Sequence, residues 1–254
     1  MLKKLKLTIF LLLFSVFAVA SFAQDNSKNK VFGSDGEFGA WTTYYYLNPE
    51  PAKVAAGIKY YSDSTLLQNK ETRVIMLAFF SAILKNNPLL TKQVFDDIAS
   101  GGSKSAKIML LNILWMQGST AARELIKKAE SSPQFEPCVN IIQQMKKAAP
   151  PDILLDPVED AASLDMLWAF FFATGDSAAV KKIISVLHLE KDGHGLDIVV
   201  GGAAGWSLQS NAIQHKKVLA ICKEELKTSE GLTREILEKI VRQAQASASS
   251  MTRD

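Results

Sequence analysis

Residues 104–131 read KSAKIMLLNILWMQGSTAARELIKKAES. Apolar side chains recur at helical spacing on both sides of Gly118, which predicts helices over 104–117 and 119–131. Glycine accepts the left-handed conformation that ends a helix, and the serine after it suits the start of the next. Three more corners share this outline, with pivots at Asn87, Gly175 and Asn211. Eight residues past the four pivots stand Phe95, Ile126, Ile183 and Leu219; eleven past stand Ile98, Ala129, Val186 and Cys222. All eight are apolar, and an offset of three puts each pair on one helix face. Four past the pivots stand Thr91, Ala122, Ala179 and His215, so a histidine occupies a position where the other units place small residues.

Working outward, the same spacing predicts helices over 51–61, 70–86, 89–99, 134–148, 163–174, 177–188, 196–210, 212–227 and 232–246. Val31-Phe32 and Ile198-Val199-Val200 are the strand-like pieces, and neither has a pairing partner in the sequence. The expected class is therefore all-α. The pivot spacings of 31, 57 and 36 residues make the units irregular. Irregular stacked hairpins, α-solenoid-like, are the expected arrangement, with a single globular helical bundle as the alternative.

The ends and breaks give an organisation. Residues 1–23 have the three parts of a secretory signal peptide: Lys3, Lys4 and Lys6, an uncharged apolar run from Leu7 to Ala20, then the small residues Ser21 and Ala23 before Gln24. Residues 24–50 form a polar, glycine-bearing flexible leader that carries an aromatic segment. An N-terminal helical half spans 51–148 and a C-terminal half 163–246. The Pro- and acid-rich stretch 149–162, with Pro150, Pro151 and Pro157, breaks between them, and 247–254 is a fraying tail.

The chain has 254 residues, 29 Lys+Arg against 26 Asp+Glu, and the surplus of three lies in the leading lysines. A neutral mature surface argues against nucleic-acid binding, which needs a cationic footprint. No second apolar run is long enough for a bilayer span, so no stable membrane insertion is expected after signal cleavage. The expected location is the bacterial periplasm or exterior. There, Cys138 and Cys222 could close a disulfide loop of about 85 residues, although each also reads as a small core residue on an apolar face.

Signatures of chemistry are sparse. His188 and His194 bracket Glu190 and Asp192, but a His-x5-His loop fits no usual zinc spacing, and no metal site is expected. Gly201-Gly202-Ala203-Ala204-Gly205 lacks the dinucleotide spacing, and Gly101-Gly102-Ser103-Lys104-Ser105 lacks the first glycine of a phosphate loop, so no cofactor is expected. Ser207, Asn211 and His215 fall at i, i+4 and i+8, but a break at Asn211 would destroy their alignment. No catalytic residue is assigned. Trp41, Tyr44, Tyr45 and Tyr46 lie outside any clear helix, and tyrosine and tryptophan are favoured at interface hot spots.

The short hairpins, and the small residues Ala122 and Ala179 at their crossings, resemble tetratricopeptide and Sel1-type helical repeats over roughly Glu71 to Leu226. That resemblance implies a scaffold for a protein or peptide partner and brings no catalytic residue with it. The expected contact residues are Tyr44, Tyr45, Tyr46, Trp206, Asn211 and His215. A secreted hydrolase using polar residues around Trp206–His215 is the alternative.

Overall fold

The computed structural model describes residues 31–251, with side chains to residue 247. Its helices are α1 (Asp35–Tyr44), α2 (Val54–Asp63), α3 (Lys70–Lys85), α4 (Pro88–Gly101), α5 (Lys104–Gln117), α6 (Thr120–Glu130) and α7 (Val139–Met145). After the proline-rich crossing come α8 (Ala161–Thr174), α9 (Ser177–Ser185), α10 (Leu189–Asp192), α11 (Leu196–Gln214), α12 (Lys216–Glu225) and α13 (Gly231–Met251). Four short 3₁₀ segments fill three of the joints, two of them between α1 and α2, and the described residues contain no strand. The chain is all-α.

Short polar side chains fix where these helices start. Ser34, Asn69, Asn87, Ser103, Ser119, Asp160 and Asp176 each accept from a free amide of the first turn. Gly118 and Gly175 end α5 and α8 at φ of 63° and 68°, the left-handed conformation their pivot role requires. Asn87 instead works as a cap, with φ at −134°.

Packing follows a row of helices that differs from chain order. The largest joint is α3 on α8, and α3 also packs against α5. From α8 the row continues to α11 and then α13, with α9 and α12 beside them. The chain leaves α3, builds α4 to α7, and returns through the crossing to lay α8 on α3. This return departs from a stack in which each hairpin leans only on its chain neighbours. It also means that the two halves read from the sequence share one continuous buried cluster. Lys182 pins the crossing, donating from Nζ to the carbonyls of Ile153, Leu154 and Asp156.

Three expectations need correction. The leader is folded from Ser34 onward: Phe32, Phe38 and Trp41 are buried against one another and against α2 and α3. Asn211 does not end a helix, because α11 runs through it to Gln214 and His215 makes the corner. Ile198-Val199-Val200 lies inside the same helix, within the 196–210 span that the periodicity predicts. The tail remains helical to Met251. The signal segment 1–23 and the leader up to residue 30 lie outside the described residues.

Candidate functional site

Helix α11 has an unusual division of faces. No charged residue occurs from Ile198 to Gln214. Val200, Gly201, Ala204, Leu208 and Ala212 turn inward and are buried. Gly201 is required there, since a Cβ would stand 2.1 Å from the Glu190 amide nitrogen of α10. The opposite face carries Val199, Trp206 and Ile213 at seven-residue spacing, which aligns them along the helix. Their exposures are 57%, 45% and 37%, and Leu196 beside them is 75% exposed. The residues between are small or neutral, and Gly202 meets nothing within 4 Å.

Beneath Trp206 a cleft opens between α11, α8 and α3. Asp165, Trp168 and Phe172 of α8, Ile75 of α3, and Ser210 and Asn211 of α11 form its walls with Trp206. The free space is about 50 Å³, far below the few hundred Å³ of a small-molecule pocket, but enough for the tip of one side chain. Trp168 stacks on Phe172 with ring centroids 6.0 Å apart. Its Nε1 is buried and has no hydrogen-bond partner. Burial, reinforced by the charges of Glu71 and Asp160, pushes the Asp165 carboxyl up to about 6. Among the described residues no cation pairs with it.

On the far side of Phe172 lies the second cluster. His215 is 1% exposed, and its ring lies 5.1 Å from that of Phe172 and 5.2 Å from that of Tyr44. Its Nδ1 shares a 3.0 Å hydrogen bond with the Tyr46 hydroxyl, while Nε2 has no partner. Burial drives His215 down to about 4, so the imidazole is neutral at ordinary pH. Tyr46 packs 4.9 Å from Phe171, and the Lys217 ammonium stands 5.9 Å from the Tyr46 ring centroid. The N-terminal aromatic segment is thus docked onto the C-terminal half.

The structure brings together Tyr44, Tyr46, Trp206, Asn211 and His215, all around α8 and the C-terminal part of α11. Tyr45 is the exception: it is buried in the other direction, 5.4 Å from Trp41 and 5.6 Å from Phe79, where it holds α1 to α3. Burial also takes His215 off the surface, which leaves Trp206 and Tyr44 as the exposed members of the set. Ser207, Asn211 and His215 form no catalytic relay. The Ser207 hydroxyl donates to the Ala204 carbonyl, Asn211 Nδ2 donates to the Ser207 carbonyl, and His215 turns to Tyr46. Asp165 and Trp168 were not anticipated. An acid inside the apolar run Leu164-Asp165-Met166-Leu167-Trp168 is the signal that marks them.

Other candidates fall elsewhere. Cys138 and Cys222 are buried free thiols, and burial raises both, Cys222 to about 12. The bridge between them is not formed. His188 and His194 donate to nearby backbone carbonyls, and among the described residues no group of three or more His, Cys, Asp or Glu could hold a metal. A wider groove of about 440 Å³ beside Trp115, Ile126 and Met145 contains none of the residues expected from sequence. No described helix is long and apolar enough to cross a membrane. No family model, curated protein or solved structure matches the chain.

Proposed function

We propose that the protein is an exported helical scaffold that binds another protein or peptide in the bacterial cell envelope, as an assembly factor, secretion accessory or inhibitor. Export rests on the signal-like first 23 residues. Binding rests on one observation: the outward face of α11 is apolar, uncharged and centred on an exposed tryptophan. Water-facing helices carry charge, and a contiguous exposed apolar stripe of this kind is characteristic of a contact surface. Trp206 supplies the rigid anchor that such contacts favour.

Site-specific photo-crosslinking in the producing cell tests this reading. A photoreactive residue at Val199 or Ile213 should trap the same discrete species, and one at Glu124 on α6 should trap none. Equal trapping from both helices, or none from α11, would remove the proposal.

A further inference from the structure

The α11 face and the cleft beside it share Trp206, so whatever covers the first also closes the second. Closing it removes the remaining solvent from Asp165, whose carboxylate has no cation of its own and stands near two more acids, Glu71 and Asp160. A covering surface without a positive charge would leave that carboxylate buried and unpaired, which is strongly unfavourable. A covering surface that brings an ammonium or guanidinium meets both a carboxylate and the two indoles, Trp206 and Trp168, that line the cleft.

We infer that the occupant of the α11 face is a basic amphipathic helix of a partner protein, with one Lys or Arg seated in the Asp165–Trp206 cleft. This rests on the scaffold reading and deepens it. The seven-residue spacing of Val199, Trp206 and Ile213 matches a helix lying along α11, and Gly202, Ala203 and Ser210 between them let its backbone approach closely. The cleft's small volume fits one cationic tip rather than a free metabolite. A second copy of the chain pairing through α11 fits less well. Its own α11 offers no cation between Ile198 and Gln214, so both Asp165 carboxylates would be covered without a partner.

Three designed peptides test the inference. They share one apolar helix face and differ only in flanking residues, which are Lys, Gln or Glu. Binding to the protein from Gln24 onward is read by fluorescence anisotropy, with circular dichroism confirming that each variant folds. The Lys peptide should bind about tenfold or more tightly than the Gln peptide, with Glu weakest, and added salt should shrink the gap. Asp165→Asn should bring Lys and Gln peptides within about twofold of each other. Trp206→Ser should weaken all three, and Glu124→Gln on α6 should change none. Equal binding of Lys and Gln peptides to the unaltered protein, or a Lys preference that survives Asp165→Asn, overturns the basic-helix inference and leaves the scaffold intact. If no peptide binds, or Trp206→Ser has no effect, the scaffold reading falls as well. A dimer seen by light scattering that Trp206→Ser dissolves, and that no peptide displaces, assigns the face to a second copy and overturns the inference.

Discussion

Helices α6 and α11 both lay an inner face on the core, but their outer faces have little in common. Inside, α6 uses Ala122 and Ala129, and α11 uses Gly201, Ala204 and Leu208; all are buried. Outside, α6 presents Arg123, Glu124, Lys127 and Lys128, with Lys128 reaching the Asp96 carboxylate and the Phe95 ring. The outer face of α11 presents Val199, Trp206 and Ile213, with no charge. Core packing sets the inner faces alike and places no demand on the outer ones. What stands outside is therefore free to follow contact, and α11 departs from the ordinary solvated pattern that α6 keeps.

The largest effect should come from breaking the inner face of α11. Gly201→Ala drives a methyl into the α10 backbone and should cost about 3 kcal/mol or more. Its neighbour Gly202→Ala faces open space and should gain about 0.5–1 kcal/mol in urea unfolding. Similar losses at both positions would contradict the division of faces.

Two titrations sharpen the comparison, with opposite signs. His215 takes its proton near 6.5 when unfolded and only near 4 when folded. Acidification through that window favours the unfolded chain and should remove about 3 kcal/mol, a slope that His215→Gln flattens. Asp165 is raised, so its charged form is what the fold disfavours, and the penalty grows as pH rises from about 3.8 through about 6. Discounted for partial exposure, Asp165→Asn should stabilise the free protein at pH 7 by about 1 to 2 kcal/mol and change little at pH 4. Stability lost at pH 7 in that variant would deny that the carboxylate is held at a cost. At the small end, Glu124→Gln and Lys127→Gln on α6 should stay within about 0.5 kcal/mol of the parent.

The helical class was legible because the caps and stops were. Gly118, Ser119 and Gly175 carry local hydrogen-bonding and backbone preferences that need no tertiary context. Asn211 shows the limit of that logic. The side chain that could end a helix can equally bond back to the carbonyl four residues earlier, and here it does, to Ser207. The folded part of the leader had a readable sign in Ser34-Asp35-Gly36-Glu37, a serine three residues ahead of a glutamate, with the serine capping the Glu37 amide. Its glycines and polar residues obscured it. The aromatic contact residues were half legible. Three consecutive tyrosines must point in different directions, but only the return of α8 onto α3 decides that Tyr45 faces the N-terminal core while Tyr44 and Tyr46 face His215. Asp165 became visible as part of a cleft only once α11 lay across it.

The hydrogen bond between Tyr46 and His215 spans 169 residues of chain. A polypeptide that emerges from its amino end presents Tyr44 and Tyr46 early and His215 only with the last fifth of its length. Until then Tyr46 can pack on Phe171 of α8 but has no imidazole to bond, and contacts so distant in sequence are slow to close. Tyr45 can therefore fasten α1 to α3 early, whereas the Tyr46–His215 bond closes late. A chain truncated before α11 should leave the Tyr46 hydroxyl without its imidazole partner while Tyr45 still packs on Phe79 of α3.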